Sequence, residues 1–330
     1  MYTLQATDID NGGEFFRKLN SNFAECANPQ SSHTDAECRT RFIAEMNRKA
    51  ALLGMTNTTF YDPAGNQPIA SADPTWAASH PNAFYSSNHN VSTAIDLLKL
   101  LIYASGIREL NDAQCLPNFI LSIGGANART ANIVQTVKNA EFEAAYTLLI
   151  GKTGSMDYLQ TRALVCVVQS KTTDKIYACA EILQTTTDSY RWTRLKEALD
   201  SIDAGGAAPS YANSGIAISL LPTFTPSLFK GVSPDLAFNL GSNFVWANAS
   251  TTKLMTAAIL ADCKINLDIK VSVHESDISW GTGTLFYQGD IITLRDALKC
   301  AFTESSNTSA HIITRVVGGI LLDKDENVLE

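Results

Sequence analysis

Apolar positions fall into two kinds of run along this chain. Some recur every three to four residues, which marks one face of a helix. Thr40 to Leu53 has that period and stops at Gly54, a suitable C-cap. Ser92 to Ser105 has it too, with Ala94, Leu97, Leu98 and Leu101 as the stripe. So does Asp188 to Ile202, with Leu195, Ala198 and Leu199 facing inward. Other runs are short and nearly unbroken: Tyr146 to Thr153, Ala163 to Ser170 and Lys175 to Ile182. These predict strands, and Lys171-Thr172-Thr173-Asp174 between the last two predicts a hairpin turn. Leu254 to Leu260 predicts a buried helix. Polar stretches separate the elements. Residues 1–39 read as an extension with one short helix over Glu14 to Phe23. Tyr61 to Asn90, rich in Pro, Asn and Ser, reads as a long surface loop, and Asp323 to Glu330 as a frayed acidic tail.

The buried helix at 254–260 is entered through Ser250-Thr251-Thr252-Lys253. Side chains three apart share a helix face, so the Lys253 amine can reach the Ser250 hydroxyl. A helix N-terminus adds unpaired N–H groups and partial positive charge, which favour a neutral amine and stabilise an anion. The plain reading is a capping serine with a surface lysine one turn on. Two further stretches weigh against it: Ser305-Ser306-Asn307, and a strand that ends in Lys152-Thr153-Gly154. Serine-x-x-lysine, serine-x-asparagine and lysine-threonine-glycine together form the signature of penicillin-binding proteins and serine β-lactamases. The chain resembles the D-alanyl-D-alanine carboxypeptidases of that superfamily. The flanks carry the resemblance as well: Phe42 to Asn47, Ala50 to Met55, Thr56 to Phe60 and Ser92 to Leu97.

The order of the motifs differs from the family's. There the lysine-threonine-glycine element comes last; here it stands first, at 152, and the other two follow at 250 and 305. The resemblance therefore implies a circularly permuted carboxypeptidase. Residues 40–203 correspond to the family's C-terminal half and 214–330 to its N-terminal half. The stretch 204–213, small and flexible in composition, is a linker between the family's two termini. Gly215 to Leu221 is then the first strand and Ser227 to Val232 the second, while Ile265 to Val273 and Ile291 to Ala301 belong to a helical lobe. The implied fold is α/β (α+β) of the β-lactamase/transpeptidase type: an antiparallel sheet of about five strands, helices on both faces and a helical lobe. The strand at Gly215 should pair with the strand at 175–182. Thr40 and Gly319 should lie close together.

The resemblance also implies roles. Ser250 is the nucleophile, Lys253 the base, and Ser305 the hydroxyl that hands a proton to the leaving amine. Asn307 binds substrate backbone, and Lys152 and Thr153 hold the terminal carboxylate. Gly154 leaves room for substrate along its strand. The backbone N–H groups of Ser250 and Ser155 form the oxyanion site. The plain alternatives are a turn cap for Ser305, a helix N-terminal residue for Asn307 and a strand end for 152–154. No serine sits in a G-x-S-x-G context, so a Ser-His-Asp scheme has no anchor. His311 reads as a packed helix residue, and His89 lies in a polar loop. The substrate implied is a peptidoglycan stem peptide ending in D-Ala-D-Ala, with β-lactams as covalent inhibitors. A class A lactamase would need Glu-x-x-Leu-Asn; Leu19-Asn20 is preceded instead by Phe16. The remaining alternatives are another serine β-lactamase or a non-catalytic scaffold.

Composition narrows the setting. The net charge of −8 without a basic tract argues against nucleic acid and anionic membrane surfaces. No apolar run is long enough to span a bilayer. The family acts in the periplasm or outside the cell, yet Met1 to Gly13 is polar and acidic, unlike a signal peptide. The five histidines are isolated from one another and from the seven cysteines. No metal site is expected, and no cofactor. Cys166 and Cys179 read as buried small hydrophobes, and Cys26 with Cys38 as a possible disulfide across a polar loop. Four N-x-S/T sequons stand at Asn57, Asn90, Asn248 and Asn307; a glycan at either of the last two would block the proposed site.

Overall fold

In the computed structural model, residues 32–65, 74–81, 88–106, 139–206, 213–221, 236–283 and 286–323 are described. The helix predicted at 14–23, the strand predicted at 227–232, Cys26 and the acidic tail beyond Asp323 lie outside them. The first described helix, α1 (Asp35–Leu52), starts earlier than its apolar period suggests. Thr34 and Glu37 form a reciprocal capping box: the Thr34 hydroxyl accepts from the Glu37 N–H at 3.3 Å, and the Glu37 carboxylate accepts from the Thr34 N–H at 2.7 Å. The helix start expected at Thr40 therefore belongs at Asp35.

After α1 come α2 (Pro74–Ser79), β1 (Val91–Ser92), α3 (Ala94–Gly106) and α4 (Ala140–Ala145). The α/β centre follows as β2 (Tyr146–Met156), β3 (Thr161–Ser170), β4 (Ile176–Gln184), α5 (Tyr190–Ala204), β5 (Ser214–Leu221) and β6 (Leu236–Leu240). These five strands form one antiparallel sheet in the order β2-β3-β4-β5-β6. The expected pairing across the linker is present, with Ile182 opposite Gly215 and Ile176 opposite Leu221. Strands β3 and β4 read as unbroken apolar runs because both of their faces are covered. Ala163, Val165, Val167, Ala178, Ala180 and Ile182 face the main core, shared with α1, α3 and the helices described next. Leu164, Cys166, Val168, Tyr177 and Cys179 face a second core closed by Phe142 of α4 and by Trp192, Leu195 and Leu199 of α5.

Next come β7 (Trp246–Ala247), a 3₁₀ turn (Ala249–Thr252), α6 (Lys253–Asp262), β8 (Lys270–Ser272), a second 3₁₀ turn (Glu275–Asp277), β9 (Ile291–Thr293), α7 (Leu294–Thr303) and α8 (Asn307–Asp323). Within the stretches assigned to the lobe, β8 and β9 pair as a two-stranded ribbon that leads into α7. The first and last described segments meet on this lobe. His33, before α1, lies 3.1 Å from Asp323 at the end of α8, and Arg39 and Arg315 grip the same Asp277 carboxylate. Strand β1 pairs with β7, which pins the segment after residue 88 beside the entry to α6. No helix among the described residues is long and apolar enough to cross a membrane.

Candidate active site

Ser250 does not open α6, as its sequence position suggests. It sits in the 3₁₀ turn ahead of that helix, after Ala249 at the left-handed φ of 46°. A 3₁₀ turn has three residues per turn, so positions i and i+3 lie directly over one another. That geometry sets Lys253 Nζ 3.0 Å from Ser250 Oγ. The Lys253 side chain is fully buried, whereas Ser250 is half-buried.

Three elements distant in sequence converge on this pair. Asn307, the first residue of α8, places its Oδ1 2.8 Å from Lys253 Nζ. Its Nδ2 donates to the Trp280 carbonyl at 3.0 Å, which fixes the orientation of the amide. The Ala64 carbonyl, from the segment after α1, accepts from Lys253 Nζ at 2.9 Å. Strand β2, the edge of the large sheet, brings up Lys152, whose Nζ donates to Ser305 Oγ at 3.0 Å and to the Thr153 carbonyl at 2.8 Å. Ser305 holds a left-handed φ of 57°, and the next residue, Ser306, caps α8 by accepting the Ser309 N–H. Strained backbone at Ser305 and at Ala249, just before Ser250, is a feature the sequence does not reveal.

The two lysines are buried beside one another, and among the described residues they hydrogen-bond only to neutral oxygen acceptors. Burial, and then the neighbouring Arg191 guanidinium, push Lys152 down to about 7. Burial and then Lys152 hold Lys253 well below the usual lysine range, with Asp62 pulling the other way. Between them the pair favours one positive charge over two.

The neutral state of Lys253 has a determined geometry. A neutral amine has two N–H donors and one lone pair. The Ala64 carbonyl and Asn307 Oδ1 can only accept, so they take both donors. The lone pair is left for the Ser250 hydroxyl, the arrangement a general base requires.

Gly154 has a different task from the one expected. A Cβ there would stand 2.8 Å from the Asn248 carbonyl oxygen and 3.0 Å from the backbone nitrogens of Ser250 and Thr251. Its missing side chain lets β2 close on the Ser250 turn, so the space it vacates is filled by protein. The same contact draws together the segments that carry the Ser250 and Ser155 N–H groups. Strand β2 also continues to Met156, so Gly154 and Ser155 are paired strand residues opposite Ala163 and Arg162. Thr153 is half-buried on that strand and Ser155 is exposed.

Several contributing groups carry no sequence signal. Arg191, fully buried at the start of α5, donates to the Ala163 carbonyl at 3.0 Å and to Ser155 Oγ at 3.1 Å. Residues 62–65, expected in a surface loop, are buried beneath Lys253. His311 is a packed helix residue, as expected, but lies 3.3 Å from the Asp62 carboxylate. His89 makes no part of the site described above. Asn90, Asn248 and Asn307 are buried, which leaves Asn57 as the exposed sequon of the four. Among the described residues no cluster of His, Cys, Asp and Glu could hold a metal. Comparison of the chain with family models, curated proteins and solved structures returned no match.

Proposed function

We propose that the protein is a serine D-alanyl-D-alanine carboxypeptidase that trims peptidoglycan stem peptides, binds β-lactams covalently at Ser250, and works in the periplasm or outside the cell. The proposal includes a β-lactamase/transpeptidase-like fold in circularly permuted order. The observation that carries it is a convergence of three segments lying far apart in sequence: Lys253 bonds Ser250 and Asn307, Lys152 of β2 bonds Ser305 two residues before Asn307, and β2 packs on the Ser250 turn at Gly154.

In this reading Ser250 Oγ attacks the carbonyl carbon between the two D-alanines as its proton passes to Lys253. The backbone N–H groups of Ser250 and Ser155 receive the developing oxyanion. As the C–N bond breaks, Ser305 hands a proton to the departing amine and regains one from Lys152. Acylation thus ends with Lys253 charged and Lys152 neutral, so the positive charge of the pair moves and does not grow. Water then cleaves the ester, returning a proton to Ser250. Asn307 binds substrate backbone, while Lys152 and Thr153 offer charge and a hydroxyl to the terminal carboxylate.

A fluorescent penicillin tests the reading. Stable labelling of the wild type, mapped to the peptide containing Ser250 and abolished in a folded Ser250→Ala variant, is the expected outcome. Rapid turnover would instead indicate a β-lactamase. No labelling, or an adduct on another serine, would overturn the assignment.

A further inference from the structure

The carbonyl that holds Lys253 comes from Asp62-Pro63-Ala64-Gly65, a segment unlike the motif residues in having no signature of its own. It is clasped from all sides. Asp62 Oδ1 accepts the Ala64 N–H at 2.8 Å, and Asp62 Oδ2 lies 3.3 Å from Nε2 of His311 on α8. Asn90 Oδ1 accepts the N–H groups of Tyr61 and Asp62 at 2.7 and 3.0 Å, while its Nδ2 donates to the Asp62 carbonyl at 2.6 Å and to Thr252 Oγ1 at 3.0 Å. Thr256 of α6 donates to the Pro63 carbonyl at 2.7 Å. Gly65, at φ 74°, leaves room for the Ala249 carbonyl, which a Cβ would approach to 1.9 Å. The segment is therefore hydrogen-bonded to Lys253 and Thr256 after the nucleophile and packed against Ala249 before it. Asp62 is its one acidic side chain and is 2 % exposed.

We propose that Asp62 is a positioning residue for Lys253: its carboxylate, held between the Ala64 N–H and the His311 ring, fixes the Ala64 carbonyl that occupies one amine donor and so aims the lone pair at Ser250. The inference rests on the acyl-transfer reading of the site. The ionisable groups around the amine are Asp62 from this segment, Lys152 from β2 and His311 from α8; Arg315, one turn further along α8, is engaged with Asp277. Asp62 supplies the negative charge that opposes Lys152. Its carboxylate thus has two separable effects, one through the Ala64 carbonyl and one through charge.

Two substitutions separate them. Asp62→Asn keeps an oxygen for the Ala64 N–H and removes the charge, whereas Asp62→Ala removes both. Acylation by a fluorescent penicillin is followed at saturating and limiting concentrations across pH, beside a titration of the Lys253 amine by NMR of protein with ¹³C-labelled lysine. Asp62→Ala should lower the saturating acylation rate roughly tenfold or more while apparent binding changes about twofold or less, because the defect lies in aim and not in affinity. Asp62→Asn should restore much of that rate, with the acid limb of the profile and the Lys253 titration both moved to lower pH. A residue that merely stabilised the fold would change the fraction of active protein and leave the rate per active site and both pH curves unmoved. That result in Asp62→Asn, or a wild-type saturating rate in a folded Asp62→Ala, overturns the proposal. If Asp62→Ala does not fold, Asp62→Asn decides alone. Wild-type labelling tests the parent reading separately. Should the wild type not label, the titration of Lys253 still decides whether Asp62 governs that amine: an unmoved curve in Asp62→Asn refutes the proposal, and a curve moved to lower pH supports it.

Discussion

Two of the buried charge clusters among the described residues are built on opposite plans. On the helical lobe, Asp277 is fully buried, and Arg39 Nη2 and Arg315 Nη2 donate to it at 2.7 and 2.8 Å. Arg315 Nη2 also donates to the Ser272 carbonyl at 2.6 Å, and Arg39 to Ser276 Oγ at 2.9 Å. Every charge there faces an opposite one. At the candidate active site, Lys152 and Lys253 are buried close enough to oppose each other's charge, and each hydrogen-bonds to neutral acceptors of its own. A matched cluster keeps its groups ionised and ties elements together; an unmatched one makes ionisation costly and its groups reactive. The first joins α1 to α8, the ends of the described chain, and the second, in the reading proposed above, prepares an amine to accept a proton. Substitutions should separate the two plans cleanly.

The largest expected effect is on the unmatched side. Lys253→Ala should slow acylation by a fluorescent penicillin roughly 10²–10⁴-fold, the span of general acid–base catalysis, with reversible binding nearly unchanged. Lys152→Ala should impair both, since it removes the cation offered to the substrate carboxylate as well as the partner of Ser305. Curves of rate against penicillin concentration separate the cases. The same pattern from both variants would mean that the two lysines do not divide the work as argued.

On the matched side the expected effect is on stability. Asp277→Ala leaves two guanidinium groups buried without their carboxylate, a loss of about 3–5 kcal/mol. Urea unfolding should show that loss, while acylation per folded molecule stays within about twofold of wild type. An acylation defect as large as the stability defect would show that the lobe cluster also shapes the site.

The same contrast explains what the sequence discloses. Strands β3, β4 and β5 are legible because both sheet faces are covered and their side chains must be apolar. Ser250, Lys253, Ser305, Asn307 and Lys152 are legible because the chemistry proposed for them needs fixed residue types at fixed spacing. Thr34-x-x-Glu37 was open to the same reading, yet an apolar period alone sets the start of α1 too late. Asp62 and Arg191 could not be found that way. Their importance comes from contacts such as that between Lys253 and Ala64, which are 189 residues apart in the chain. Pro and Asn in 61–90 predict turns, and turns are ordinarily exposed so that water can satisfy their backbone. Here Asn90 takes the place of water. The Gly154 role misled for a related reason: a strand glycine signals close approach, but the sequence does not say of what.

The smallest effect is the most specific test of the unmatched plan. Lys152 ionises at about 7, far below the unfolded value near 10.5, because burial and Arg191 oppose its charge. The folded state therefore bears an ionisation cost that is fully present below pH about 7 and fades as pH rises toward the unfolded value. Catalysis should run in the opposite sense. In the reading proposed here Lys152 acts as a cation while Lys253 acts as a neutral amine. Acylation at limiting penicillin should thus fall about tenfold per pH unit above about 7 as Lys152 loses its proton. Lys152→Arg keeps a cation at every accessible pH, so whatever acylation it retains should lose that alkaline limb while keeping the acid limb set by Lys253. Because a variant with altered packing can be slower overall, the shape of the profile is the measurement, not its height. A wild-type rate that keeps rising through pH 9 would mean that Lys152 serves the reaction without its charge.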